Sequence, residues 1–214
     1  MAEVKPRFPP DQPQLDAAAV RAFAHPLRVR LYYLLEADGP ATASGLAARV
    51  GESSGSTSYH LRQLARHGLI VEVEGRGTAK ERWWEPNPKG FSMRGDRLRA
   101  DPATAAATDL LLGEFERKRA ADRHRWLQES VTAPDEWVEA SVDRRRTMVL
   151  TAVETARLAS ELDEVTERYR LLSTSRDLVG TPDAEGRTHH RVVLHLELFP
   201  LGAGTSPETE PESP

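Results

Sequence analysis

The stretch Ser53-Ser54-Gly55-Ser56-Thr57-Ser58-Tyr59-His60-Leu61-Arg62-Gln63-Leu64-Ala65-Arg66-His67-Gly68-Leu69-Ile70 constrains this chain more than any other. Its small polar start suits a helix N-terminus, and Thr57, Leu61 and Leu64 then recur at helical spacing along one side. Ser56, Tyr59, Arg62, Gln63 and Arg66 fall on the opposite side. Gly68 ends the helix, and apolar Leu69 and Ile70 open a new element. A helix anchored by one narrow apolar edge leaves hydroxyls, an amide and guanidinium groups to face a polar partner. The major groove of duplex DNA fits, because its base edges accept from Arg and exchange hydrogen bonds with Gln and Ser. The candidate contact residues on this helix are Ser54, Ser56, Tyr59, His60, Arg62, Gln63 and Arg66.

The flanking segments extend the pattern. Thr42 or Ser44 can cap a short helix whose apolar side is Leu46, Ala47 and Val50. Gly51-Glu52-Ser53 then turns into the next helix, which is the helix-turn-helix plan. Upstream, Pro26 suits a first helical position, Leu27, Leu31, Leu34 and Leu35 form a core stripe, and Gly39-Pro40 stops it. Downstream, Leu69 to Val73 and Arg82 to Trp84 are β-prone runs around the tip Glu74-Gly75-Arg76-Gly77-Thr78-Ala79-Lys80. The spacing predicts a wing in which Arg76, Lys80 and Arg82 reach DNA. Of the adjacent Trp83 and Trp84, one is expected to face the core.

With these pieces in view, residues from about Val20 to Pro88 resemble the winged helix-turn-helix regulators of the arsenic-repressor (ArsR) type. The resemblance rests on Ala24-His25-Pro26-Leu27-Arg28, on Leu46-Ala47-Ala48-Arg49-Val50-Gly51, and above all on Ser58-Tyr59-His60-Leu61-Arg62-Gln63-Leu64 with Gly68-Leu69-Ile70. It covers roughly a third of the chain. It implies a dimeric bacterial transcription factor, usually a repressor, that leaves DNA when a ligand binds. Gly55 and Thr57 depart from the pattern, standing where many members carry a hydroxyl residue and a Val. The metal-sensing members use cysteine pairs, whereas this chain has no Cys.

Net charge is −4, but it is unevenly spread. Residues 20–90 hold ten Lys and Arg against seven Asp and Glu, while residues 91–214 hold 17 against 23. That asymmetry puts a nucleic-acid contact in the N-terminal half, and dimerisation doubles the local excess. No Cys means no disulfide, thiolate metal site or thiol redox chemistry. No apolar run approaches the roughly 20 residues that span a bilayer, and the Pro-rich start lacks a signal-peptide core, so a cytoplasmic location is expected. Enzyme signals are weak. Gly51-Glu52-Ser53-Ser54-Gly55 fits the nucleophile-elbow pattern, but a helix precedes Ser53 where that chemistry needs a strand. His189, His190 and His195 invite a metal, yet His190 and His195 differ by an odd step and point to opposite faces of a strand. No catalytic residue, cofactor or metal is therefore assigned.

The expected fold class is mainly α with α+β features. Residues 1–14 read as a disordered start, residues 15–90 as the winged helix-turn-helix domain, and 91–133 as a linking and dimerisation helix. Residues 134–199 read as a small α/β unit, and 200–214 as a disordered tail. The linking helix, starting at Asp101-Pro102 and running to about Ser130, carries Leu110, Leu111, Leu112 and Phe115, the candidate dimer interface, with help from residues 15–24. In the α/β unit, Met148 to Leu150 and Val192 to Leu198 alternate as strands. Thr151 and Glu154 form a capping box, and Leu158, Leu162, Val165, Tyr169 and Leu172 stripe the helix that follows. The apolar residues of this unit can close as a core or leave a pocket for an organic small molecule; a protein is the other effector considered. The chain thus reads as a homodimeric regulator of double-stranded DNA, probing a palindromic operator. The alternative is a winged-helix module for protein contacts, against which the polar face at Arg62, Gln63 and Arg66 argues. An enzyme with its site in 134–199 is a more distant third.

Overall fold

The computed structural model describes residues 12–78, 81–174, 183 and 186–202. These fall into two compact units that divide between Arg145 and Arg146.

The N-terminal unit opens with β1 (Gln14–Leu15) and α1 (Ala17–Phe23), capped by Asp16, whose carboxylate accepts from the Ala19 N–H at 2.7 Å. α2 (Pro26–Asp38) begins at a proline, which loses nothing at a position with no intrahelical N–H bond. β2 (Ala41–Thr42) leads into α3 (Ala43–Val50), where the Thr42 hydroxyl accepts from Gly45 N–H at 3.1 Å. α3 ends at Gly51 with φ +74°, a left-handed turn that favours glycine. After α4 (Ser54–Arg66) the chain forms the hairpin β3 (Ile70–Thr78) and β4 (Glu81–Pro86). β4 lies between β2 and β3, antiparallel to both, with Thr42 opposite Trp83 and Ala41 opposite Trp84. β5 (Ser92–Met93) pairs in parallel with β1. α5 (Gly95–Ala100), α6 (Ala105–Glu129) and α7 (Asp135–Ala140) complete the unit.

One core joins these elements. Val20 and Phe23 of α1, Leu31 and Leu35 of α2, Leu46, Leu61 and Leu64 of the helix-turn-helix, Leu69, Ile70 and Trp84 of the hairpin, and Leu111 of α6 are all buried together. The fold is therefore a winged helix-turn-helix closed by α6.

Three expectations change here. Leu111 is 0% exposed and belongs to this core, and Phe115 packs beside it, so these two are not free for a dimer interface. The 91–133 segment is accordingly part of the N-terminal unit and not a separate linker. Only one of three consecutive leucines can face inward on a helix of 3.6 residues per turn; Leu110 is exposed and Leu112 half-buried. The helix also starts later than Asp101, whose carboxylate accepts from Ala103 N–H in a preceding turn. Finally, residues 12–14 are ordered. Ser92 N–H donates to the Pro13 carbonyl at 2.9 Å, and Gln12 donates its amide to the Lys89 carbonyl. Residues 1–11 and 203–214, where the disordered ends were expected, lie outside the described residues.

In the C-terminal unit, α8 (Ala152–Thr174) forms as the sequence implies. Thr151 N–H donates to Glu154 Oε2 at 2.8 Å, and Glu154 N–H donates to Thr151 Oγ1 at 3.2 Å, a reciprocal capping box. The expected strands do not form: residues 148–150 and 191–199 belong to no strand. Their apolar side chains are exposed, Val149 and Val192 among them, as are Val165, Tyr169 and Leu172 of the α8 stripe. Among its described residues the C-terminal unit is thus one helix with irregular flanks, while α7, the start of the expected 134–199 unit, belongs to the N-terminal unit. The run from Arg176 to His189, whose Gly, Asp and Pro residues suit a loop, lies largely outside the described residues. Among the described residues, no helix is long and apolar enough to cross a membrane.

Candidate nucleic-acid interface

α4 is held by its ends and by one edge. The Ser53 hydroxyl accepts from Ser56 N–H at 3.1 Å and supplies the cap. Thr57, Leu61 and Leu64 are fully buried, which fixes the rotation of the helix about its own axis. At the far end Gly68 takes φ +69° beneath the Pro13 ring. Asn87, at the base of the hairpin, donates its side-chain amide to the Gly68 carbonyl at 2.8 Å and its backbone N–H to that of Leu69. The wing and the helix are therefore tied to each other at one point.

That rotation leaves a polar face outside. Ser54, Arg62 and Arg66 are exposed, Tyr59 is 55% exposed, and Ser56 and Gln63 are half-buried at the margins. Arg62 donates from Nε to the Ser58 carbonyl at 3.1 Å, which steadies its exposed side chain along the helix. Arg66 lies in the last turn, where a cation complements the helix dipole. Tyr59, Arg62 and Arg66, with Ser56 and Gln63 at the margins, are thus brought together on one accessible strip, whereas Ser54 is exposed at the first residue of the helix, in line with its buried edge.

His60 occupies the edge of that strip and faces α2. Its ring centroid lies 4.6 Å from that of His25, and the Tyr59 ring meets it edge-on at 5.3 Å. Arg28 Nη1 lies 3.3 Å from His60 Nδ1. Arg28 also donates from Nε to the Ala22 carbonyl, which holds the guanidinium in place. Burial and then the neighbouring His25 and Arg28 push the His60 imidazole below its ordinary value, with Glu52 opposing. Burial and then Arg28 do the same to His25, a hydrogen bond opposing. Sequence reasoning missed His25 and Arg28, because nothing in their spacing ties them to His60, which for Arg28 is 32 positions away.

The wing is less free than expected. The Arg76 guanidinium lies over the Trp83 ring, 3.9 Å from its centroid, and Arg82 pairs with Glu72 at 3.4 Å. Trp84 points into the core, as one of the tryptophan pair must. The pairing of β3 with β4 is irregular between Glu72 and Gly77, and Gly75 takes φ +71° there. Lys80 lies outside the described residues.

A family model described as a helix-turn-helix domain matches residues 23–74, from the end of α1 into β3. Three solved structures are similar to parts of the chain. Reduced HlyU from Vibrio cholerae N16961 is 21% identical, covering 44% of this chain and 81% of its own, with a TM-score of 0.29. A transcriptional regulator HlyU from Vibrio vulnificus CMCP6 is 20% identical over 45% and 82%, with a TM-score of 0.28. A possible transcriptional regulator for arsenical resistance is 26% identical over 60% and 99%, with a TM-score of 0.29. No curated protein matches the sequence. The family match, the turn at Gly51 and the β3–β4 hairpin agree on a winged helix-turn-helix.

Proposed function

We propose that this chain is a sequence-specific DNA-binding transcription regulator, a repressor that acts as a homodimer on a palindromic operator. The observation that carries the reading is the exposed strip of α4, with Tyr59, Arg62 and Arg66 outside, Ser54 exposed at the helix start, and Thr57, Leu61 and Leu64 locking the helix behind it. Ser56, His60 and Gln63 contact the duplex from its margins. Arg76 reaches the flanking backbone from its seat on Trp83, and Lys80 and Arg82 assist it. Two-fold symmetry sets the two α4 helices about 34–36 Å apart, one turn of duplex. The repressor role follows from the family resemblance.

The dimer forms through the part of α6 that the core does not take, with exposed Leu110 and half-buried Leu112 at its centre. The effector is an organic molecule or a protein, since the chain has no thiolate to hold a soft metal. In the 134–199 unit no described apolar side chain is fully buried; Trp137, Leu158 and Leu162 are half-buried and most of the others are exposed. An open groove of about 340 Å³ between α2 and α6, lined by Val29, Tyr33 and Leu34 with the charged Arg30, Glu114 and Lys118, is a candidate seat for the effector.

The test is selection of duplexes from random-sequence DNA by the purified chain, followed by titration at several salt concentrations. The expected result is an enriched inverted repeat bound with an affinity that falls steeply with salt. Absence of any salt-sensitive duplex binding overturns the reading.

A further inference from the structure

The cluster at the edge of α4 gathers more donors than the free protein uses. Arg28 donates to His60 Nδ1, and Leu27 N–H donates to His25 Nδ1 at 3.2 Å. Both Nδ1 atoms therefore accept, both rings are neutral, and each carries its proton on Nε2. The two Nε2–H groups and the remaining Arg28 N–H groups are donors of one sign collected in one place. All three side chains are half-buried and so reach solvent. Ser56 and Gln63 are the helical neighbours of His60 on α4, so the cluster borders the strip that enters the groove. The N-terminus of α2 adds its own partial positive charge beside His25, with no acidic side chain in its first turn. Glu52 is the one carboxylate whose charge acts on His60.

We propose that His25, Arg28 and His60 together hold one backbone phosphate of the bound duplex, at the rim of the groove that α4 enters. The inference rests on the DNA-binding reading above and adds a contact to it. Phosphate contacts of this kind fix the register of a reading helix without carrying sequence information. Arg28 supplies the fixed charge, and the two imidazoles supply donors aimed by their Nδ1 bonds. A phosphate seated here lowers the cost of charging the imidazoles, because its negative charge offsets that of Arg28; burial, the first cause of their lowered values, remains, and a second proton takes Nδ1 in place of the bond from Arg28 or from Leu27 N–H. The complex then binds more protons than the free protein in the histidine range, so affinity for DNA rises as pH falls.

The experiment uses the full chain and a fluorescent duplex recovered by the selection above, with affinity read by anisotropy from about pH 8 to about pH 6. The parent is expected to bind about three- to tenfold tighter at the acid end. The double variant His25→Asn/His60→Gln keeps a cap acceptor and a polar neighbour, and is expected to bind with no such slope. Arg28→Gln is expected to weaken all duplexes alike and lower the salt slope by about one. Circular dichroism melts confirm that each variant is folded; a misfolded double variant is replaced by the single His60→Gln, expected to lose about half the slope. A parent that binds DNA with pH-independent affinity, or a variant that keeps the full slope, overturns this inference alone. A parent that binds no duplex at any pH overturns the DNA-binding reading and this one with it.

Discussion

The ring of Phe115, on α6, lies 6.0 Å from that of Phe23, on α1, and 5.9 Å from that of Phe91. The long helix is thereby part of the DNA-binding unit's core and not an appendage to it. Leu111, one turn before Phe115, is 0% exposed. Leu111→Ala should therefore cost about 2–5 kcal/mol of stability, the usual range for deleting a fully buried leucine. Urea denaturation checks this: the midpoint should fall with little change in slope. An unchanged midpoint means that α6 does not belong to the core.

Leu110 gives the opposite expectation. It is exposed, so Leu110→Glu should change the stability of an isolated protomer by no more than about 0.5 kcal/mol, as surface substitutions do. In a dimer joined through α6 the same change buries a charge against its symmetry mate, at a cost of several kcal/mol. Sedimentation at micromolar concentration should show dimers for the parent and monomers for the variant. A variant that still sediments as a dimer moves the interface elsewhere.

Base reading is expected of Arg62 and Gln63. Replacing either by Ala should cost about 1–3 kcal/mol at one base position and relax the preference there. Competition binding with single-base operator mutants is the measurement. If both variants rank those mutants as the parent does, α4 is not the reading helix.

The paired imidazoles also mark the free protein. His25 and His60 titrate below the ordinary value of about 6.5, each first through burial and then through neighbouring charge. The unfolded chain, at the ordinary value, binds more protons than the folded one over that interval. The stability from this pair is therefore complete above the ordinary value and is lost as pH falls through the depressed folded values. The thermal midpoint should decline on acidification below about pH 6.5, and less so in His60→Gln. A variant whose decline matches the parent's removes His60 from this role.

The helix-turn-helix was legible because its signals are local and mutually consistent: a hydroxyl cap at Ser53, a stripe of Thr57, Leu61 and Leu64, and glycines where φ must be positive. The Thr151–Glu154 box was legible for the same reason. Leu111 was not, because three consecutive leucines give no indication of which one faces inward until the partner surface exists. Alternation at 191–199 misled because it describes one strand's faces and says nothing of a neighbour to pair with. The His25–Arg28–His60 cluster joins two helices far apart in sequence, and only the packed fold brings them together.

α6 is anchored by its first turns and continues for several turns beyond them, with Arg123 tied to Asp143 near its end at 2.8 Å. At 1.5 Å per residue, the part beyond Phe115 is a rod of about 20 Å. In a dimer joined through α6, such a rod is a lever. A swing of about 10° over about 20 Å displaces its end by about 3.5 Å, which is the rise of one base pair along a strand. An effector in the α2–α6 groove would thus need only a small wedge to carry one α4 helix a full step out of phase with its twin.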